Sequence, residues 1–152
     1  MIIEYHRIHM NAYPPTRSNP SDAGLDVYFS PKEHKAVSVQ PGESVIFPTG
    51  LKFGVPHGYM LEVKNRSSVA AKRSLIVGAC VVDSGYDGEL FVNLHNVGTE
   101  EQVVEPHAKI AQVVMVPVVS FRAMETSNPD LYGWYPITIS DRADGALGST
   151  DE

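Results

Sequence analysis

The sequence has 152 residues, of which 43% are hydrophobic and 20% charged, a composition typical of one globular domain. Its formal net charge of -6 argues against non-specific binding to nucleic acid or to an anionic membrane. A single cysteine, Cys80, excludes an intrachain disulfide and a cysteine-built zinc site. The N-terminus lacks the apolar core of a signal peptide, and the most apolar stretch, 110–119, is too short to span a bilayer. We therefore expect a cytoplasmic protein that binds neither nucleic acid nor membrane.

Short apolar runs rich in β-branched and aromatic residues alternate along the chain with turn-forming residues. Eleven prolines and twelve glycines separate these runs, a spacing typical of many short strands. The predicted strands, in chain order, are residues 36–39, 44–47, 51–55, 59–64, 75–77, 80–82, 89–96, 102–104 and 109–118. The predicted turns are 40–43, 48–50, 55–58 and 87–88, and the one predicted helix is 67–73. The pattern predicts an all-β barrel or sandwich of about a dozen short strands.

The C-terminal end differs in composition from the rest of the chain. From about residue 140 the sequence is polar and rich in glycine and serine, as in mobile termini. We expect a single β domain over residues 1–139 and a flexible tail over residues 140–152. Residues 142–150 resemble a phosphate-binding loop, but the lysine of a Walker A loop is missing. A reduced phosphate clasp and a disordered terminus both fit this pattern.

Asp83 ends an apolar strand and begins a glycine-containing loop. Val81 and Val82 precede it, and Tyr86 follows within the loop. Such a hairpin can line a flat ligand with backbone N–H and C=O groups while the tyrosine ring stacks on it. An aspartate at this position can hold a water molecule. An aspartate that only supports a hairpin turn is the alternative.

Residues 65–72 indicate an anion site at the start of the helix. Ser67 as the N-cap residue, with Arg66 beside it, directs backbone N–H groups, a hydroxyl and a guanidinium to one point. An ordinary helix cap with a solvated arginine is the alternative. Residues 22–27 could place the Asp26 carboxylate at the start of a strand, where it can contact Mg²⁺ through water, or Asp26 is a turn former.

The order and spacing of five segments resemble the trimeric dUTPase family along nearly the whole chain. The segments are Ala23-Gly24-Leu25-Asp26, Arg66-Ser67-Ser68 with Ala70-Ala71-Lys72, residues 77–88, Lys109-Ile110-Ala111-Gln112-Val113-Val114, and residues 142–150. The resemblance implies a distorted, jelly-roll-like β-barrel that forms a homotrimer with sites shared between subunits. It also implies Mg²⁺-assisted hydrolysis of dUTP to dUMP and pyrophosphate, which limits uracil incorporation into DNA and supplies dUMP for thymidylate synthesis.

The resemblance also assigns roles to individual residues. Asp83 would activate the water that attacks the α-phosphorus, and Tyr86 would pack beneath the deoxyribose and exclude a 2′-hydroxyl. Asp26 would reach Mg²⁺ through water, and the backbone around residues 79–82 would pair with the uracil edge. The implied phosphate-binding residues are Arg66, Ser67, Ser68, Gln112 and, in the tail, Arg142, Gly148, Ser149 and Thr150. The other implied substrate-binding residues are Gly78, Ala79, Cys80, Val81, Val82, Phe91 and Leu147.

Three features depart from the family pattern and leave alternatives open. Cys80 stands where glycine is usual, and Leu147 replaces the aromatic residue that usually stacks on uracil. Residues 126–136 form a longer link than usual and carry the single tryptophan. A dCTP deaminase, or a bifunctional deaminase and dUTPase of the same fold, would need a general-base glutamate near the base. A dUTPase-fold protein with an added partner-binding role, as in virus-encoded relatives that work in the host cytoplasm, would use this link.

Overall fold

The structure, a computed structural model, describes residues 1–133. The chain divides into one unit over Met1–Ser120 and a second that begins at Phe121, and each is described by itself. Within residues 1–133 the chain forms eleven strands and one helix, all in the first unit. These elements are β1 Tyr5–Arg7, β2 Leu25–Tyr28, β3 Val37–Val39, β4 Ser44–Pro48, β5 Leu51–Phe53, β6 Tyr59–Lys64, α1 Ser67–Arg73, β7 Leu75–Val77, β8 Val81–Val82, β9 Phe91–Asn96, β10 Gln102–Val104 and β11 Lys109–Pro117.

The strands pair antiparallel in four sheets. The largest has the order β2-β11-β6-β8, the next has the order β4-β9-β7, and β1-β5 and β3-β10 form two-stranded sheets. This arrangement confirms the predicted all-β class with one short helix. Hydrogen bonds divide the described strands among these sheets rather than joining them in one continuous sheet. The long β11 pairs with β2 on one side and β6 on the other, so Gln112 lies opposite both Asp26 and Lys64.

The alternation of side chains along the strands builds one apolar core. In β9, Val92 and Leu94 are fully buried, whereas Phe91, Asn93 and His95 point to the other face. The largest fully buried apolar side chains are Phe29, Phe47, Leu51, Leu75, Leu94 and Ile110. Each such side chain stabilises the fold by about 1.5–3 kcal/mol through removal of apolar surface from water. The core therefore fixes which face of each strand is left for a binding site.

The helix α1 covers the predicted residues, but its first turn differs from the prediction. Arg66, not Ser67, is the N-cap residue, with an extended backbone and no side-chain capping bond. The prediction of a serine cap was wrong because Ser67 already has helical geometry, so its hydroxyl is not placed for an N-cap bond. The helix ends at Arg73, and the C-cap residue Ser74 has a left-handed backbone (φ of 54°) and donates its N–H to Ala70 O.

Several strand limits and one turn also differ from the prediction. The strands β1 and β2 are not among the predicted strands, and the strand predicted over residues 89–96 begins only at Phe91. The tight turn after β8 lies at Ser84 and Gly85 rather than at residues 87–88, where the chain only bends. The glycine with the left-handed backbone, Gly85, marks this turn because glycine adopts positive φ without strain.

The second unit is described over residues 121–133. Local hydrogen bonds shape it: Asn128 N–H donates to Thr126 Oγ1 at 3.2 Å, and Asp130 N–H donates to Asn128 Oδ1 at 3.0 Å. The predicted tail over residues 140–152 lies outside the described residues. In the part of the chain that the structure describes, no helix is long and apolar enough to cross a membrane.

Candidate active site

Asp83 lies directly after β8, at the start of the loop that leads to β9. The loop reverses at Ser84 and Gly85, where Tyr86 N–H donates to Asp83 O at 3.2 Å. Ser84 Oγ donates to Val55 O at 3.1 Å, which ties this turn to the segment after β5. These bonds hold the Asp83 backbone in one position at the end of the strand.

An open pocket of about 190 Å³ lies beside Asp83. Its lining residues are Val81, Val82, Asp83, Tyr86, Glu89, Leu90 and Phe91. The Tyr86 hydroxyl donates to Glu89 O at 2.8 Å, and the tyrosine ring lies so close to Gly88 that a side chain there would overlap it. The pocket thus combines a carboxylate, a fixed aromatic ring and apolar surface, which suits a flat ligand with polar edges.

The Asp83 carboxylate is exposed beside this pocket. Within residues 1–133, no lysine, arginine or histidine forms an ion pair with it. By contrast, Asp87 in the same loop pairs with Lys52 Nζ at 2.6 Å. Asp83 therefore has the hydrogen-bonding capacity to hold a water molecule at the pocket.

The loop of residues 78–80, between β7 and β8, precedes the pocket strand. Gly78 and Ala79 are exposed there, whereas Cys80 is partly buried and packs against the apolar core. The Cys80 carbonyl accepts a hydrogen bond from Val63 N–H at 2.7 Å, which anchors the loop to β6. The thiol therefore packs on the core side and is not among the groups that line the pocket.

A second cluster joins β2, β11 and the residue that begins α1. Asp26 lies between two cations: Arg66 Nε is 2.8 Å from Asp26 Oδ1, and Lys109 Nζ is 2.9 Å from Asp26 Oδ2. The Asp26 side chain is only 14% exposed, so these ion pairs are partly shielded from water. Arg66 Nη1 also reaches Ser68 Oγ at 3.5 Å. The arrangement directs an arginine and a lysine to one carboxylate.

Gln112 belongs to the same region because β11 pairs with β2. Its Nε2 donates to Asn65 O at 2.9 Å, immediately before Arg66. Asn65 Oδ1 in turn accepts from Val77 N–H at 2.8 Å, so one asparagine connects the segment before α1 with both β11 and β7. Gly24 packs against this glutamine, and a side chain at Gly24 would overlap Gln112 Oε1 and the backbone of β11.

The predicted site residues therefore fall into two groups in the described chain. The structure places Val81, Val82, Asp83, Tyr86 and Phe91 around the pocket, with Gly78, Ala79 and Cys80 in the adjoining loop. It places Asp26, Arg66, Ser67, Ser68 and Gln112 in the second region, and none of these lines the pocket. The predicted residues Arg142, Leu147, Gly148, Ser149 and Thr150 lie outside the described residues.

Three residues near these groups were missed by the sequence-based prediction. Lys109 pairs with Asp26, Asn65 bonds both Gln112 and Val77, and Glu89 lines the pocket. Lys109 opens a long apolar strand, which marks it as a strand-end cation. Its partner, however, depends on the pairing of β2 with β11, which no local pattern encodes.

The described residues could bind Mg²⁺ only if a bound substrate supplied most of its ligands. Among residues 1–133, no three histidine, cysteine, aspartate or glutamate side chains cluster closely enough to hold a metal ion. Both Asp26 oxygens already face cations, although a carboxylate keeps further lone pairs for a water molecule. Mg²⁺ usually takes one or two carboxylates together with waters and substrate phosphates. Asp26 could therefore contact, through a water molecule, an Mg²⁺ ion that is bound to substrate phosphates.

Solved dUTPase structures share this fold. A mutant of the dUTPase of staphylococcal phage 80alpha matches with a TM-score of 0.82 at 21% identity, over 97% of this chain and 98% of its own. A mutant of the dUTPase of phage phi11 of S. aureus has a TM-score of 0.76 at 21% identity, over 86% of this chain and 99% of its own. That phi11 structure reveals the coordination of a structural Mg(II) ion. These likenesses establish the fold.

Sequence comparison identifies the family. The chain is 33% identical over 140 residues to the deoxyuridine 5'-triphosphate nucleotidohydrolase of Chlamydia muridarum, covering 91% of this chain and 90% of that protein. It is 36% identical over 138 residues to the enzyme of the same name from Gloeobacter violaceus, covering 90% and 87%. The dUTPase family model matches residues 10–131. The chain belongs to the dUTPase family.

Proposed function

We propose that this protein is a dUTP diphosphatase that hydrolyses dUTP to dUMP and pyrophosphate. The observation that carries the proposal is the exposed Asp83 carboxylate beside a pocket with a fixed tyrosine ring. Family membership supplies the substrate: the relatives at 33% and 36% identity are named for the hydrolysis of deoxyuridine triphosphate. The dUMP so formed would serve thymidylate synthesis, and removal of dUTP would limit uracil incorporation into DNA.

Asp83 acts on water in the proposed reaction. Its carboxylate accepts a hydrogen bond from a water molecule and takes a proton from it as the water oxygen attacks the α-phosphorus. A new P–O bond forms, the bond from the α-phosphorus to the bridging oxygen breaks, and pyrophosphate leaves with that oxygen. Asp83 is exposed and has no ion-pair partner among residues 1–133, which supports this role because its oxygens can bond a water molecule.

Tyr86 selects the sugar in this proposal. Its hydroxyl is engaged by Glu89 O, so the ring keeps one orientation at the pocket wall. A deoxyribose packed against this ring leaves no space for a 2′-hydroxyl, which would discriminate against UTP. The backbone of residues 79–82 pairs with the edge of uracil, and Phe91 adds apolar surface beside it.

The triphosphate requires positive charge that the acidic chain supplies only locally. Arg66, Ser67, Ser68 and Gln112 would hold the phosphates, with Arg142, Gly148, Ser149 and Thr150 closing from the tail. Mg²⁺ bound to the phosphates would neutralise part of their charge, held through water at Asp26. Asp26 orients Arg66 by the 2.8 Å ion pair and keeps the guanidinium from turning into solvent.

We further propose a homotrimer in which each site takes residues from more than one subunit. The supporting observation is that Arg66 and Gln112 are not among the lining residues of the Asp83 pocket. The catalytic carboxylate and the phosphate-binding residues must contact the same bound nucleotide. Assembly of identical subunits can bring the second region of one copy to the pocket of another.

A second candidate is the deamination of dCTP, alone or together with dUTP hydrolysis. This reaction needs a glutamate beside the base, and Glu89 is the glutamate that lines the described pocket. Its Oε1 already accepts a hydrogen bond from Gly50 N–H at 2.8 Å, which ties it to the scaffold. Ammonia release from dCTP would support this candidate over the first.

The proposed function is tested by comparing dUTP, dCTP, dTTP and UTP with and without Mg²⁺. Pyrophosphate release is measured for each nucleotide, and ammonia release for dCTP. We expect rapid pyrophosphate release from dUTP in the presence of Mg²⁺, slow release from the others, and no ammonia. Equal rates on dUTP and UTP, or no reaction with dUTP, would contradict the proposal.

A further inference from the structure

Asn93 occupies an unusual place in β9, directly behind the loop of residues 78–80. Its neighbours Val92 and Leu94 are buried in the core, so Asn93 lies on the opposite face, where it is half-buried. Phe91, two residues earlier on this face, lines the Asp83 pocket. A polar side chain on this face of β9 can form hydrogen bonds with the loop that adjoins the pocket.

Asn93 holds the loop by two hydrogen bonds. The pairing of β7 with β9 ends with Val77 opposite Leu94. Beyond that point Gly78 N–H donates to the Asn93 backbone carbonyl at 2.9 Å, and Ala79 N–H donates to Asn93 Oδ1 at 3.2 Å. The side-chain amide therefore continues the sheet by one bond after the strand has ended.

The Asn93 amide is itself fixed on both sides. Its Nδ2 donates to Ser44 Oγ at 2.8 Å, while Oδ1 lies 3.1 Å from His95 Nε2. With Oδ1 as acceptor for Ala79 N–H, the histidine donates from Nε2. A flipped amide would place its NH₂ group against the Ala79 N–H and lose that bond, so the backbone donor selects one orientation.

The loop has no space to move toward β9. A side chain at Gly78 would overlap both Asn93 Oδ1 and His95 Nε2. On its other side, Cys80 O is bonded to Val63 N–H of β6. Any displacement of the Asn93 amide therefore moves Ala79, and with it the backbone edge that the loop presents.

We infer that Asn93 is a positioning residue that sets the loop backbone for recognition of the pyrimidine edge. The inference rests on the proposed function, in which the backbone of residues 79–82 pairs with uracil. Asp83 is held separately, by β8 on β6 and by the Ser84 bond to Val55. Asn93 accordingly controls nucleotide affinity and the choice between uracil and cytosine, and leaves the water-activating carboxylate in place.

The test compares Asn93→Leu with the wild type in steady-state hydrolysis of dUTP and dCTP. Leucine has a similar size but no acceptor, so Ala79 N–H and His95 lose their partner. We expect the KM for dUTP to rise about tenfold and the dUTP/dCTP ratio of kcat/KM to fall by a similar factor. The kcat for dUTP should stay within about twofold of the wild type, because Asp83 is not displaced.

Two further variants separate positioning from a general structural effect. Asn93→Asp keeps an acceptor for Ala79 N–H and should retain the wild-type KM and ratio within about threefold. Gln40→Leu removes another side-chain amide, bonded to Ser38 and Glu101 away from the loop, and should change neither value. Thermal unfolding of each variant reports its fold, and calorimetric titration with dUMP reports binding without turnover.

The possible outcomes distinguish the positioning role of Asn93 from the proposed function. Unchanged KM and unchanged base preference in Asn93→Leu, or a fall in kcat alone, would overturn the positioning role while dUTP hydrolysis stands. If the leucine variant does not fold, the aspartate variant decides, and a loss of base preference in a folded aspartate variant would overturn the role. A wild type that releases no pyrophosphate from dUTP would instead refute the proposed function itself.

Discussion

Two aspartates in this chain have opposite surroundings, and their surroundings suit different tasks. Asp83 is exposed and has no cationic partner among the described residues, so it can bond water. Asp26 is largely buried and lies within 3 Å of both Arg66 Nε and Lys109 Nζ. The first suits a general base, and the second suits a carboxylate that orients cations. Residue type alone did not distinguish them; their position in the chain and the fold did.

Tyr86 provides a test of sugar selection. Tyr86→Ala removes the ring from the pocket wall, so the ratio of kcat/KM for UTP to kcat/KM for dUTP should rise about tenfold or more. Tyr86→Phe keeps the ring and loses only the bond to Glu89 O, so it should retain most of the discrimination. Steady-state rates with both nucleotides check this. An alanine variant with wild-type preference would show that the ring does not exclude the 2′-hydroxyl.

Gly24 provides a test of packing at the second region. A methyl group at Gly24 would overlap Val113 O and Gln112 Oε1, so Gly24→Ala should lower the free energy of unfolding by about 1–3 kcal/mol. Gly54→Ala is the matched control, because a methyl group there comes no closer than 3.7 Å to Glu4 O. Urea unfolding measures both variants. Equal stability of the two variants would contradict the prediction, because it would show that β11 accommodates the methyl group without cost.

At the scale of elements, the sequence predicted what turn residues and alternation determine locally. The limits of β6, β7, β10 and α1 agree with the prediction to the residue, because proline, glycine or polar residues flank each of them. The strand β1 was missed because its three residues are all exposed and show no alternation. It exists through its pairing with β5, which is a long-range contact.

The candidate site shows the same division between local and long-range information. Asp83 and Tyr86 belong to one continuous segment, and the sequence sufficed to place them in one hairpin. The role of Asn93 behind Ala79 depends on the pairing of β7 with β9, and the Lys109 contact with Asp26 depends on the pairing of β11 with β2. Such pairings are set by the whole core, so no pattern within one segment reveals them.

The ion pairs of Asp26 connect three elements, and their loss should affect both stability and phosphate binding. Asp26→Asn leaves Arg66 and Lys109 without a counter-ion in a partly buried position, at a cost of about 1–3 kcal/mol. The KM for dUTP should also rise, because Arg66 loses its orientation. Glu33→Gln, which breaks an exposed pair with Lys35, should change neither quantity. An Asp26→Asn variant as stable as this control would contradict the structural role.

At the scale of the whole molecule, an acidic chain must bind a polyanion. The formal net charge of -6 disfavours this at long range, so positive charge has to be concentrated at the site. In the described residues the pocket around Asp83 and the region around Arg66 are lined by different side chains. A trimer with shared sites would combine them on one nucleotide.

Complementation between inactive variants tests such sharing. We expect Asp83→Asn and Arg66→Ala each to have little activity alone. If a site takes these residues from different subunits, each mixed trimer would regain about one of its three sites, which is about a quarter of all sites in a random equal mixture. The two variants are refolded together, mixed assembly is verified by mass, and pyrophosphate release is measured. Mixed trimers without recovered activity would mean that both residues act within one subunit's site.

The central claim is that Asp83 activates the attacking water, and replacement of its carboxylate tests this most directly. Asp83→Asn keeps the shape of the side chain, so the Kd of dUTP should stay within about threefold while kcat falls by at least about a hundredfold. Asp87→Asn, in the same loop and paired with Lys52, should retain wild-type turnover. A folded Asp83→Asn variant with the kcat of the wild type would contradict the claim.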